Sequence, residues 1–249
     1  MIYETKGRAR EYFELAANLY VGCAHGCRYC YAPNVLHMKP ELFFNGGRPK
    51  PQVLERLKKS AEQFRGDPRP VLLSFISDPY QPAESTAGVT REAIQIIHAA
   101  GLKVAILTKD GFRATRDFDL LGPEDIFGTT LTFEDADLSR KWEPLAASPQ
   151  ERFGSLVLAK QHKIRTFVSL EPVIVMVETF KCIDKVAPFV DQFKVGKLNY
   201  MEEARTLDWN AFARAVIQKL DENGAKYYIK RDLAAYIGKP EGILKGGEF

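Results

Sequence analysis

Cysteine, histidine and tryptophan are scarce in this chain, and neither sign of charge prevails. Its 249 residues include four Cys, four His and two Trp, while 35 Lys and Arg against 32 Asp and Glu leave a formal +3. Near-balanced charge with aliphatics spread along the whole length excludes a disordered polyelectrolyte. It also withholds the strong basic bias of a dedicated nucleic-acid module, although residues 48–69 are locally rich in Arg and Lys. No uninterrupted apolar run approaches the roughly 18 residues of a membrane helix. Glu4, Lys6, Arg8, Arg10 and Glu11 leave no apolar signal-peptide core near the N-terminus, so the expectation is a cytoplasmic chain with no membrane partner. Linkers, low-complexity segments, a Gly-rich phosphate loop, a zinc-protease helix motif and a hydrolase triad are all missing.

Periodicity supplies the fold. From residue 70 onward, short β-branched runs alternate with amphipathic helical periods, the pattern of βα units around a parallel sheet. Strands are predicted at 16–20, 71–77, 104–108, 127–133, 166–170, 192–195 and 226–230. The intervening helices bury faces such as Leu54, Leu57, Ala61 and Phe64, or Trp209, Phe212, Ala213, Val216 and Leu220. Six βα repeats and one short final strand are too few for an eightfold barrel. They suffice for an α/β fold of the open, partial (β/α)6 TIM-like barrel kind, whose mouth at the strand C-termini would hold the chemistry. One domain is expected over 1–249, with a core at about 14–200 and a helix–strand extension at 205–249. Residues 31–51, with Pro33, Pro40, Gly46, Gly47 and Pro49, read as an extended loop between the cysteines and the first helix.

The few cysteines are unevenly placed. Cys23, Cys27 and Cys30 fall in the run CAHGCRYC, and Cys182 stands far away. A disulfide framework would be dispersed, whereas a local cluster in a reducing compartment points to metal ligation. Three thiolates can hold three irons of a [4Fe–4S] cube and leave the fourth iron open to a small molecule. A zinc site completed by His25, His37 or Cys182 is the competing reading, although zinc usually takes paired Cys-x2-Cys knuckles and only one such pair is present. Cys182 lies in an apolar helical period, the setting of an inert, buried thiol.

The Cys-x3-Cys-x2-Cys spacing, with Tyr29 before the third cysteine, resembles the signature of the radical S-adenosylmethionine (SAM) enzymes. The runs NLYVGCAHGCRYCYAP, SFISDPYQPAE and LTKDG resemble, within that superfamily, the group related to spore photoproduct lyase, over residues 12–200 and most sharply in the first 110. The resemblance implies a [4Fe–4S] cluster on Cys23, Cys27 and Cys30, with SAM at the open iron. Reductive cleavage to a 5′-deoxyadenosyl radical and hydrogen abstraction from a substrate would follow, fed by an external reductant of flavodoxin or ferredoxin type. It places Tyr29, Ser77, Asp78 and Lys109 at SAM, and with less sequence support Thr130 and Thr132. Tyr29 and Tyr31 match tyrosines that relay a hydrogen atom in the lyase. The lyase's hydrogen-donating cysteine corresponds to Phe75, whose ring cannot donate, so authentic photoproduct repair is not expected. Barrel position adds Glu171, for a ribose or substrate, and Gly196, to let a nucleoside approach the backbone, with Tyr80, Gln81, Glu84, Lys197 and Asn199 as weaker candidates. The substrate class stays open between nucleic acid and a small molecule or peptide. So does the alternative of a non-catalytic iron–sulfur or zinc-binding regulatory protein.

Overall fold

The computed structural model of the chain describes residues 1–247. Its strands are β1 (Ile2–Glu4), β2 (Leu15–Ala17), β3 (Tyr20–Val21), β4 (Arg48–Pro49), β5 (Val71–Leu73), β6 (Val104–Thr108), β7 (Ile126–Thr130), β8 (Arg165–Leu170), β9 (Gln192–Val195), β10 (Tyr227–Ile229) and β11 (Ile243–Lys245). Nine of them form one open sheet in the order β1-β2-β5-β6-β7-β8-β9-β10-β11. From β2 to β10 every pairing is parallel, and β1 and β11 cap the edges antiparallel. The α/β architecture predicted from periodicity is therefore present as a partial, unclosed barrel. The helix–strand segment after residue 205 contributes β10, the last parallel strand, and β11.

Alternation along the strands assigns the two faces. Leu15, Ala17, Val71, Leu73, Val104 and Ile106 point to the helices and join the main core, with Leu57 and Ala61 of the helix Val53–Gln63 and Ala93, Ile94 and Ile97 of the helix Val89–Ala99. Ala16, Leu72, Ala105, Ile126 and Phe167 face the other way and form a second cluster around Phe13. Small residues make room there: a Cβ on Gly128 would collide with the Phe167 ring. The segment bearing Phe13 spans the concave face between the two edges of the sheet. The Glu11 carboxylate accepts bonds from Tyr228 Oη (2.9 Å) and the Arg231 N–H (2.8 Å). Lys194 Nζ donates to the carbonyls of Glu11 and Tyr12 at 3.1 and 2.6 Å.

Four expectations change: the strand read at 16–20 splits into β2 and β3, which belong to different sheets, and the one read at 127–133 ends at Thr130. The strand read at 71–77 stops at Leu73, because the Phe75 and Ile76 amides donate to Asn18 Oδ1 (2.8 and 3.2 Å) instead of a neighbouring strand. Residues 31–51 are not an extended loop: they hold the short helices Ala32–Val35 and Pro40–Phe44 and return as β4 to pair with β3. Pro33 and Pro40 lie in the first turns of these helices, so two of the residues that looked like loop punctuation act as first-turn residues. Among the described residues, no helix is long and apolar enough to cross a membrane.

Candidate functional site

The cysteines occupy the turn that leaves β3 at the C-terminal end of the sheet, and all three are free thiols. Gly22 opens this turn with φ +79°, and a Cβ there would lie 2.8 Å from the Phe43 carbonyl, which accepts the Cys23 amide at 3.0 Å. The Gln81 side chain clamps the turn by accepting from the Ala24 amide (3.1 Å) and donating to the Gly22 carbonyl (3.2 Å). From the other side, the Arg28 amide donates to the Trp142 carbonyl (2.9 Å) and the Leu145 amide to the His25 carbonyl (3.1 Å). The turn is thus held through its backbone, which leaves the sulfurs to other work.

Burial pushes the Cys23 thiol up to about 12, assisted by the neighbouring Asp78 and opposed by the amides of His25 and Asp78. Burial also raises Cys27 and Cys30, against the pull of the Lys109 ammonium. Three desolvated thiols need a cationic partner before they shed their protons, and Lys109 is the cation beside them. Among the described residues, no group of three or more His, Cys, Asp or Glu side chains is arranged to hold one metal ion. A cube is held differently, each thiolate on its own iron. The donor set of three free thiols from one turn, facing a lysine, fits such a group. Of the zinc ligands considered, His25 is enclosed between Asp78 and Asp110, 3.5 Å from each, and Cys182 is buried in the helix Met176–Val186.

Around this turn lies the first half of the mouth. Asp78, which follows β5, accepts from the Tyr80 amide (2.9 Å), Thr108 Oγ1 (2.7 Å) and the Lys109 amide (2.8 Å), so its carboxylate joins the end of β6 to its own loop. Ser77 Oγ is buried with no hydrogen-bond partner. Lys109 Nζ stands 5.7 Å from the centre of the Tyr29 ring. Burial opposes its charge, but Cys27, Glu143 and Asp78 outweigh that penalty and hold the ammonium above its ordinary value. Tyr29 Oη donates to Glu143, as does Thr132 Oγ1 (3.3 Å), and Glu143 pairs with Arg152 at 2.7 Å. Arg152 also donates to the Thr130 and Ala147 carbonyls, each at 3.0 Å. Burial works against the Glu143 carboxylate too, yet Arg152 and Lys109 hold it below the usual carboxylate range.

Glu143 and Arg152 escaped the sequence reading. The signal was an arginine in an apolar stripe: Arg152, Ser155, Leu156 and Ala159 form the inward face of the helix Pro149–Gln161.

The second half of the mouth is built on β8 to β10. Glu171 Oε2 accepts from Tyr12 Oη (2.7 Å) and Lys230 Nζ (2.5 Å), and Tyr12 Oη also meets Ser169 Oγ at 2.6 Å. Lys230 lies 4.4 Å above the Tyr12 ring. A Cβ on Gly196 would fall 2.6 Å from Glu171 Cδ. That glycine makes room for the Glu171 carboxylate, a nearer cause than the nucleoside inferred from sequence. Tyr31 Oη donates to the Phe75 carbonyl (3.0 Å), and Phe75 packs edge-on against Tyr12.

The weaker candidates are spent inside the protein. Tyr80 donates to Asp117, Glu84 is buried between Tyr20 and Arg116, Lys197 sits over the Trp209 and Tyr236 rings, and Asn199 donates to Asp232. The basic run at 48–69 does not form one strip along the mouth, since Arg69 precedes β5 at the opposite end of the sheet and is paired with Asp67, Glu4 and Glu14.

No family model matches the chain. An uncharacterised protein of Methanocaldococcus jannaschii is 25% identical over 191 residues, 73% of this chain and 69% of that protein. One of Mycobacterium bovis is 29% identical over 175 residues, 65% of this chain, and the match spans only half its length. Among solved structures, spore photoproduct lyase complexed with dinucleoside spore photoproduct superposes with TM-score 0.68 at 15% identity, covering 92% of this chain and 79% of that one. Streptococcus suis SuiB bound to its precursor peptide gives 0.67 at 12% identity, covering 92% and 53%. The chain shares the fold of these two proteins over nine-tenths of its length.

Proposed function

We propose that this chain is a radical SAM enzyme whose Cys23, Cys27 and Cys30 hold a [4Fe–4S] cluster, with SAM bound at the iron the protein leaves free. The observation that carries the reading is three free thiols, Cys27 buried and Cys23 and Cys30 half-buried, in one backbone-clamped turn at the C-terminal mouth of the parallel sheet, with Lys109 beside them. A reduced cluster held there would supply the electron for reductive cleavage of SAM, and the 5′-deoxyadenosyl fragment of SAM would take a hydrogen atom from the substrate. Lys109 pairs with the SAM carboxylate, its charge sustained by Glu143 and Asp78. Ser77 Oγ, buried without a partner, gains one from the bound nucleotide. Asp78 already accepts three bonds, so it positions Lys109 and the adjoining loop more than it grips a ribose. Tyr29 and Thr132 are held by Glu143, and Arg152 holds the carbonyl of Thr130, so this network shapes the cofactor wall. Glu171, with Gly196 behind it, faces the substrate from the far wall.

Phe75 stands where a hydrogen-donating cysteine would serve photoproduct repair, so the substrate lies elsewhere. The dinucleoside held by the lyase and the peptide held by SuiB set its candidate classes. Cytoplasmic residence and an external one-electron donor complete the proposal. Anaerobic reconstitution tests it: iron and sulfide near four each per chain, a paramagnetic resonance signal that changes on adding SAM, and release of 5′-deoxyadenosine with dithionite are expected. If release does not exceed that of Cys30→Ala, the catalytic reading fails in favour of a binding protein, and a lone zinc ion in place of the cluster ends both.

A further inference from the structure

Removal of a hydrogen atom leaves an unpaired electron on a substrate carbon, and a hydrogen atom given back by the protein ends it without changing the oxidation state of the substrate. Among the described residues no thiol is spare for this: Cys23, Cys27 and Cys30 are assigned to the cluster, and Cys182 is buried in the helix Met176–Val186. The aliphatic hydroxyls of Ser169 and Thr132 have O–H bonds too strong to yield to a carbon radical. A phenol O–H bond is weaker than the C–H bond it would form, which leaves the tyrosines.

Tyr12, Tyr29 and Tyr31 border the mouth, and what their hydroxyls touch separates them. Tyr29 donates to Glu143, whose side chain is 0% exposed, so no water reaches that pair to restore a lost proton. Tyr31 donates to the Phe75 carbonyl, which carries no proton to return. Tyr12 Oη lies 2.7 Å from Glu171 Oε2 and 2.6 Å from Ser169 Oγ, within the reach that proton transfer requires. Lys230 Nζ fixes the same Glu171 oxygen at 2.5 Å, and the Glu171 side chain keeps 16% exposure, so this carboxylate can relay a proton from water to the phenol. Burial, together with the Glu171 charge, holds the Tyr12 hydroxyl above its ordinary pKa, so it stays protonated at rest. The half-buried ring packs edge-on against Phe75, with 5.9 Å between ring centres, and the Phe75 carbonyl receives the hydroxyl of Tyr31, the neighbour of Cys30. Contacts therefore run unbroken from the cysteine turn to Tyr12.

We propose that Tyr12 is the hydrogen-atom donor that quenches the substrate radical. The assignment rests on the radical reading above. The O–H bond of Tyr12 breaks and a substrate C–H bond forms, electron and proton leaving together, so a neutral tyrosyl radical remains. One electron from the external one-electron donor and one proton from water, delivered through Glu171, restore the phenol.

The reconstituted chain in deuterium oxide, given SAM and dithionite without substrate, tests the donor. The 5′-deoxyadenosyl fragment of SAM is then the carbon radical at hand, and the exchangeable hydrogen of Tyr12 should place deuterium in the 5′-deoxyadenosine read by mass spectrometry. Tyr12→Phe should lose most of that label per molecule released, whatever its rate of release. Tyr228→Phe, which removes another anchor of the same segment, should keep it, so loosening of the segment is read apart from loss of the phenol. Unlabelled 5′-deoxyadenosine from the wild-type chain, or label unchanged in Tyr12→Phe, overturns the donor and leaves the radical reading standing. Label lost in Tyr31→Phe and kept in Tyr12→Phe gives the role to Tyr31 and also overturns it. A chain that releases no 5′-deoxyadenosine at all overturns both.

Discussion

The two halves of the mouth solve the problem of buried charge in opposite ways. On the cysteine side, Glu143 and Arg152 pair with side chains 0% and 1% exposed, and Lys109, supported by Glu143 and Asp78, shares the space with three free thiols. On the far side, Glu171 and Lys230 neutralise one another and Tyr12 lies across both, with the Glu171 side chain still 16% exposed. A half with three free thiols beside a lysine is the one equipped to take a guest. A balanced half is a wall that shapes whatever enters.

The comparison breaks most visibly if one partner of each pair is removed. Arg152→Met strands a carboxylate with no solvent, and unfolding in urea should show a loss of about 3–5 kcal/mol. Adding Glu143→Leu should recover much of it, since a buried pair replaced by apolar groups is often neutral. Lys230→Met should cost less, about 1–3 kcal/mol, because Glu171 retains Tyr12 Oη and some water. Equal losses at the two sites would mean that the halves do not differ as described.

Smaller changes sharpen the contrast between tyrosines. Tyr29→Phe removes a donor from buried Glu143 and should cost about 1–2 kcal/mol. Tyr31→Phe removes a bond from an exposed hydroxyl to a carbonyl and should stay within about 0.5 kcal/mol. A melt of each variant reads the difference directly, and a larger cost at Tyr31 would reverse the ranking.

How much of this was legible beforehand follows from what sequence patterns encode. Strand alternation and helical stripes report burial, so the parallel sheet could be read from Val71, Val104, Phe127 and their periods. The cysteine spacing is local, and the structure brings the three thiols into one turn. The Glu171–Gly196 contact was not, because it joins side chains brought together only by strand pairing; Gly196 was noticed, but for a ligand in place of a carboxylate. Tyr12 and Lys230, 218 positions apart, meet through the two ends of the sheet, and nothing local marks either of them. Residues 31–51 were misread because proline and glycine signal a break in regular structure without saying how short the next element is.

The N-terminal end of the sheet supplies a reference that the mouth should not disturb. Asp125 accepts from the Val104 amide (2.8 Å), the Gly122 amide (2.8 Å) and His98 Nε2 (3.0 Å). Burial opposes its charge, but these donors prevail and hold the carboxyl below its ordinary value. A carboxyl with a depressed folded pKa contributes stability that is complete above its unfolded pKa, about 3.9, and is lost as pH falls through the folded value. Urea midpoints measured downward from pH 7 should therefore hold a contribution from Asp125 to about pH 4 and shed it below. Asp125→Asn should lower the midpoint at pH 7 and flatten the acid limb. This effect is the most local, since Asp125 lies at the end of the sheet away from Glu143 and Glu171. An acid limb unchanged in Asp125→Asn but altered in Arg152→Met would move the acid sensitivity from the base of the sheet to its mouth.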